Sequence, residues 1–340
     1  MANEAVWLTE FGGQAKLGPA DVHEPGEGEL LIQAKAIPVQ PGEWKLKEGI
    51  IPIRLRYPTV IGLGVSGVVE KTGPGVTHFK AGDRILANTT GVLRNDPRFG
   101  AYQKYCLVPE RFASKISDVP FEEAANIATS YAAMSALVLH LGLNRPHIPS
   151  APSTGERIMV WGVSSSFGIF AAQLATLAGY EVVGVASARH EELATTFGVK
   201  HFLDRALEDV VSKGSSLGPF KAVFAAADDA EDQVKIGAIL AAQGGGSFLS
   251  TMGVRPGVKL PENVKGDFAQ FLDDYLDETH NDFTEWFWWK FLEEALEKKQ
   301  LSSLPLTVVG GLDKTEEAWK ILKTGENHGT RLIIVPDYTA

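Results

Sequence analysis

From residue 29 to residue 109, short apolar runs are broken by turn-forming residues. Residues 29–36 are mostly apolar and follow Pro25-Gly26-Glu27-Gly28. Residues 60–70 are glycine-rich and β-branched, and Ala81-Gly82-Asp83-Arg84 is a turn that leads into Ile85-Leu86-Ala87. Runs this short, with turn signals between them, predict a compact, irregular β-barrel. After Pro120 the pattern changes. Residues 122–141 are alanine-rich and helical. Arg157-Ile158-Met159-Val160-Trp161 is a continuous apolar run ended by a glycine, the pattern of a strand buried on both faces. Helix 169–178, strand 181–185, helix 191–197 and strands 200–204, 222–226 and 247–250 follow it. This β-α-β-α rhythm predicts a doubly wound parallel sheet. An acidic, aromatic stretch covers 264–282. A helix over 283–299 has a wide apolar stripe, which suits a core-facing element or, because Trp288 and Trp289 broaden it, a subunit contact or substrate wall. The chain then reads strand, helix, strand to its end.

Length and charge narrow the function classes. The 340 residues suit two domains. No apolar run is long enough to span a membrane, and Met1-Ala2-Asn3-Glu4 does not begin a secretory pattern. The single cysteine, Cys106, cannot form an internal disulfide, so a cytoplasmic location is expected. The net charge is -10 with no basic run, which argues against nucleic acid or anionic lipid as a partner.

The candidate chemistry begins after the first buried strand. Gly162-Val163-Ser164-Ser165-Ser166-Phe167-Gly168 joins it to a helix, where small residues let backbone N–H groups approach a pyrophosphate. Serines occupy the middle of the usual G-x-G-x-x-G pattern. At the end of the second strand, NAD-binding domains carry an acid for the ribose 2′-hydroxyl. Here that place holds Ala186-Ser187-Ala188-Arg189, without a carboxylate. Ser187 can donate a hydrogen bond, and Arg189, with Arg205 after the third strand, can pair with a 2′-phosphate. NADPH is therefore the expected cofactor, with Gly162, Ser164, Ser165, Ser166, Phe167, Gly168, Ser187, Arg189 and Arg205 as its binding residues.

With these features in view, the whole chain resembles the medium-chain dehydrogenase/reductase superfamily. Gly28-Glu29-Leu30-Leu31-Ile32 is similar to that family's G-E-V-L-V strand, and Gln40-Pro41-Gly42-Glu43-Trp44-Lys45 to the N-P-x-D-W-K segment of zinc-free members. Val76 to Arg84 resembles V-x-x-F-K-x-G-D-R, and Gly325 to Leu332 resembles G-K-x-S-G-x-K-L. The branch most similar is the zinc-free quinone oxidoreductases and fungal trans-acting enoyl reductases. The resemblance implies an α/β fold: a split GroES-like β-barrel catalytic domain over 1–122 and 280–340, and a Rossmann domain over 123–279. It also implies a monomer or homodimer, and a polyketide synthase as a partner in trans. Gly62-Leu63-Gly64 stands where alcohol dehydrogenases have G-H-E, and one cysteine cannot build a structural zinc site, so no metal is expected.

Without zinc to polarise a simple carbonyl, a C=C bond conjugated to a carbonyl is the better substrate, because charge spreads onto an enolate oxygen that donors can stabilise. The resemblance places an active-site lysine at Lys45. Glu43, altered from the family's aspartate, stands beside it. Tyr131, with Ser130 and Thr129, lies on a helix expected at the cofactor, where a hydroxyl could hold the nicotinamide, act as an acid, or be satisfied locally. The expected activity is NADPH-dependent reduction of an enoyl or quinone-like compound, in secondary metabolism. Two alternatives stay open: a cofactor-dependent tailoring reaction with no net reduction, and a non-catalytic dinucleotide-binding partner protein.

Overall fold

A computed structural model describes residues 2–269, 274, 276–327 and 329–338. The chain divides into two compact units, Met1–Ala128 with Asp277–Ala340, and Thr129–Leu276.

The first unit opens with the antiparallel pair β1 (Asn3–Trp7) and β2 (Lys16–Ala20). Its spine is β3 (Glu29–Pro38), which pairs antiparallel with both β4 (Gly64–Thr72) and β6 (Tyr105–Pro109). From β4 the sheet runs on through β5 (Arg84–Asn88) to β7 (Ala113–Lys115). The alternation of β3 explains its place: Leu30, Ile32 and Ala34 enter the main core, while Leu31 enters a satellite cluster with Phe99 and Leu107. Gly67 lets β4 lie this close, since a Cβ there would meet the Gln33 carbonyl oxygen at 2.1 Å. Between β3 and β4 stands a short helix, α1 (Pro41–Lys47). Pro41 supplies the fixed φ of its first position, and the Glu43 carboxylate accepts from the Gln40 N–H at 2.9 Å.

The second unit is a six-stranded, all-parallel sheet. Its strands are β8 (Arg157–Trp161), β9 (Glu181–Ala186), β10 (Val199–Asp204), β11 (Phe220–Ala225), β12 (Gly246–Ser250) and β13 (Val264–Phe268). They lie in the order β10-β9-β8-β11-β12-β13, with helices between consecutive strands from β8 to β12 and a helix-free connection from β12 to β13. This is the dinucleotide-fold order, with its switch point between β8 and β11, and ligands bind beyond the carboxyl ends of strands at such a point.

The chain returns to the first unit with β14 (Leu306–Gly310) and β15 (Arg331–Ile334). β15 pairs antiparallel with β3, so the late segment extends the sheet that the early one began.

Three local expectations change. The helix expected over 122–141 is two helices, Phe121–Ile127 and Ser130–Ser135, followed by a wide π-type turn over Ala136–His140. The first packs on β3, β4 and β5 and so goes with the first unit. The acidic stretch expected over 264–282 begins as a sixth parallel strand; residues 270–273 and 275 within it lie outside the described residues. The helix expected over 283–299 runs as Asn281–Trp286 and Leu292–Glu297 around a second wide turn, Phe287–Phe291, with Phe287 and Trp288 fully buried. Its broad stripe is therefore largely core.

Candidate functional site

In the second unit, the loop after β8 meets the loop after β11. Gly162 has φ +74, and a Cβ there would lie 2.4 Å from the Ala227 carbonyl oxygen. Conformation and space both demand glycine. Gly168 is pinned as well: its Cβ would meet the Gly162 carbonyl oxygen at 2.4 Å, so the helix Ser166–Leu177 starts hard against the turn. Ser165 caps that helix by accepting from the Gly168 N–H at 3.0 Å. Its hydroxyl oxygen thus has a structural task, while Ser164, Ser166 and Phe167 form the half-buried edge of the loop with it. The arrangement fits a pyrophosphate at a helix N-terminus.

The end of β9 gathers the other expected cofactor residues. Arg205 donates to the Ser187 hydroxyl at 3.4 Å and lies 3.5 Å from Asp232. Arg189 Nε donates to His190 Nε2 at 3.1 Å. Partial burial, and then the charges of Arg189 and Arg205, hold the His190 pKa below its ordinary value. His190 was not singled out from the sequence, although it follows Arg189 directly. Asp232 is pushed up, chiefly by burial and then by Asp229.

Thr129 and Ser130 precede and begin the helix Ser130–Ser135, which packs on Ser166–Leu177. Both hydroxyls are buried, and among the described residues neither has a hydrogen-bond partner. Local satisfaction, the plain reading of these groups, is not what is found. A buried hydroxyl left unpaired costs about 1–3 kcal/mol, which a ligand amide would recover. Tyr131, beside them, is fully buried.

In the first unit, α1 separates Glu43 from Lys45. Glu43 is fully buried and accepts four donors: the N–H groups of Gln40 at 2.9 Å and Leu63 at 3.2 Å, the Tyr102 hydroxyl at 2.5 Å and Trp319 Nε1 at 3.1 Å. Burial raises its pKa to about 7 against the pull of those hydrogen bonds. The same burial, reinforced by the Glu43 charge, lifts Tyr102 well above its usual range. Arg331, also buried, is pushed down to about 10 and donates to Asn126 at 3.2 Å. Glu43 thus ties α1 to the Leu63 turn and to helix Thr315–Thr324 from inside the core. Lys45 is half-exposed, its Nζ 5.8 Å from the Trp44 ring centre. Lys47, two residues on, is held by Glu316 at 2.6 Å.

The Glu43 shift has a measurable consequence. Because its folded pKa lies above its unfolded one, its contribution to stability is full below about pH 4.5 and is lost as pH rises through about 7. The rise from 4.5 to about 7 corresponds to about 3 kcal/mol. Glu43→Gln keeps the shape but not the titration. Thermal melts across this window should therefore show a weaker pH dependence in the variant. Parallel curves for parent and variant would remove Glu43 as the titrating group.

Leu63 stands in the turn after Gly62, whose φ of +116 and close approach to Ala101 require glycine. Among the described residues, no group of three or more His, Cys, Asp or Glu side chains is placed to hold a metal, and no helix is long and apolar enough to cross a membrane.

Residues 26–118 match the family model described as the alcohol dehydrogenase GroES-like domain. A trans-enoyl reductase of Aspergillus japonicus, himH, is 32% identical over 331 residues, covering 96% of this chain and 95% of its own. The chain belongs to the medium-chain dehydrogenase/reductase family. Within it, the residues and relatives place it in the zinc-free branch. The dehydrogenase orsE of Emericella nidulans is 28% identical, with 98% of this chain and 99% of its own covered. Among solved structures, the CurK enoyl reductase aligns with TM-score 0.75 at 16% identity, covering 98% of this chain and 99% of that one. A mycobacterial quinone oxidoreductase aligns with TM-score 0.73 at 21% identity, covering 98% and 100%. These two likenesses establish the fold. The protein is an oxidoreductase of the medium-chain reductase type, with a dinucleotide-binding fold in its second unit.

Proposed function

We propose that this protein is an NADPH-dependent, zinc-independent reductase of a C=C bond conjugated to a carbonyl, supplied as an enoyl chain by a polyketide synthase in trans. The observation that supports the cofactor reading is the end of β9, where two cations, Arg189 and Arg205, gather with Ser187 and His190 and no acid directly follows the strand. The Gly162–Gly168 loop would hold the pyrophosphate, and the orphaned hydroxyls of Thr129 and Ser130 suit the nicotinamide amide. Bound NADPH would supply the hydride for the β-carbon. The chain's own task is position and field: Lys45 stabilises the oxygen on which negative charge grows, and Glu43 fixes the helix that carries Lys45. Tyr131 is fully buried and is therefore the weaker candidate for a proton donor from bulk water. The substrate class follows from the likeness to relatives such as the A. japonicus trans-enoyl reductase. A cytosolic site of action agrees with a lone, buried cysteine.

The test is NADPH oxidation with crotonyl-N-acetylcysteamine, a small conjugated thioester, before and after treatment with a chelator. Steady oxidation, unchanged by the chelator, is expected. Activity lost to the chelator and restored by zinc would contradict the metal-free reading.

A further inference from the structure

Segment 50–57 leaves the C-terminal end of α1, where the Ile50 N–H donates to the Lys45 carbonyl at 2.8 Å. Along it, Ile51, Ile53, Leu55 and Tyr57 rest on the core, and Pro52, Arg54 and Arg56 face outward. Asn95 fixes this alternation by accepting from the Arg56 N–H at 2.9 Å and donating to the Arg54 carbonyl at 3.0 Å. Arg94 and Arg98 flank Asn95 in sequence. Each has an acid, Glu29 for Arg94 and Asp96 for Arg98, but each arginine is about twice as exposed as its acid: 35% against 17%, and 46% against 23%. Among the described residues, Arg54 and Arg56 have no acidic partner at all.

On a chain of net charge -10, Arg54 and Arg56 thus put two positive charges without an acidic partner on the outward side of the segment that follows α1. Exposed apolar surface adjoins that segment: Ile50 is 49% exposed, and Phe11, 65% exposed, lies over Gly49. The long-range field of an acidic protein repels an acidic partner, so productive encounter needs a local patch of opposite sign. Unpaired arginines next to exposed apolar groups also have the composition of a binding surface rather than of an inert one.

We propose that Arg54 and Arg56, with Phe11 and Ile50, form the docking surface for an acidic carrier domain that presents the enoyl chain on its thioester arm. This rests on the reading of the protein as a trans-acting enoyl reductase, and it assigns the surface that recognises the carrier.

The experiment compares the parent, Arg54→Glu/Arg56→Glu and Arg54→Ala/Arg56→Ala on three thioesters. These are a crotonyl-loaded bacterial acyl carrier protein, crotonyl-phosphopantetheine and crotonyl-N-acetylcysteamine. Charge reversal should raise KM for the loaded carrier by about 10-fold or more, with kcat near parental and a parental KM that climbs with salt. The alanine pair should fall between. Both small thioesters should keep their parental constants. An equal loss on crotonyl-phosphopantetheine would mean that the arginines read the arm's phosphate, and would overturn the carrier assignment, as would an unchanged KM for the loaded carrier. Titration of the unacylated holo carrier reads docking without any reduction. If no thioester is reduced, the functional reading fails, while loss of carrier binding in the charge-reversed variant still supports the docking surface and parental binding still refutes it.

Discussion

Lys45→Ala should lower kcat with a conjugated thioester by about 10- to 1000-fold, the scale of losing one charge-stabilising donor. The reason is differential. The carbonyl oxygen of the substrate is nearly neutral, and it becomes an enolate oxygen as the β-carbon is reduced. An ammonium beside it gains attraction as that charge grows, so it stabilises the transition state more than the ground state. The neighbouring lysine cannot substitute, because Lys47 is already held by Glu316 at 2.6 Å. NADPH affinity should stay near parental, since the residues proposed to bind the phosphates are at the β8 and β9 ends, in the other unit. Single-turnover reduction paired with a cofactor titration reads both quantities. A variant that reduces at the parental rate would return Lys45 to the solvated surface.

Removing Arg189 and Arg205 together should weaken NADPH binding by roughly 10- to 100-fold and NADH binding little, as expected for charge-assisted contacts to a 2′-phosphate. Arg189 is exposed, so its share is reduced by screening, and the loss should shrink as salt rises. Arg205 lies against Asp232 as well as Ser187, and the phosphate has to compete with that acid. His190 adds a sign that can be checked. Its pKa is depressed by burial and the two arginines, and a bound dianion would raise it. NADPH binding should then take up a proton, tightening as pH falls toward the ordinary histidine range, while NADH binding stays flat. Equal affinity of the parent for the two cofactors would sink the assignment.

What could be read from the sequence depended on whether a signal was local. The Rossmann strands announce themselves because strands buried on both faces are continuous apolar runs, as in Arg157–Trp161 and Glu181–Ala186. Glycines whose turn leaves no room for a Cβ, such as Gly162 and Gly168, were legible for the same reason. By contrast, β13 (Val264–Phe268) carries glycine, lysine and aspartate because it is an edge strand, and its composition hides it. α1 was missed as a helix even though Pro41 and the Gln40–Glu43 pair mark its start, because a seven-residue helix has too little periodicity to show. The environment of Glu43 was beyond reach: its donors Tyr102 and Trp319 lie 59 and 276 residues away in sequence. So was the ion pair of Lys47, whose glutamate comes from the far end of the chain.

The most direct test of the central claim is to follow the label from NADPH deuterated at C4 of the nicotinamide into the product of a crotonyl thioester. The expected result is a saturated butyryl product with deuterium on the β-carbon, formed without added metal and much more slowly by Lys45→Ala. Deuterium on the carbonyl-derived carbon would make the protein a carbonyl reductase and contradict the claim. So would NADPH that binds but yields no labelled product from any conjugated substrate.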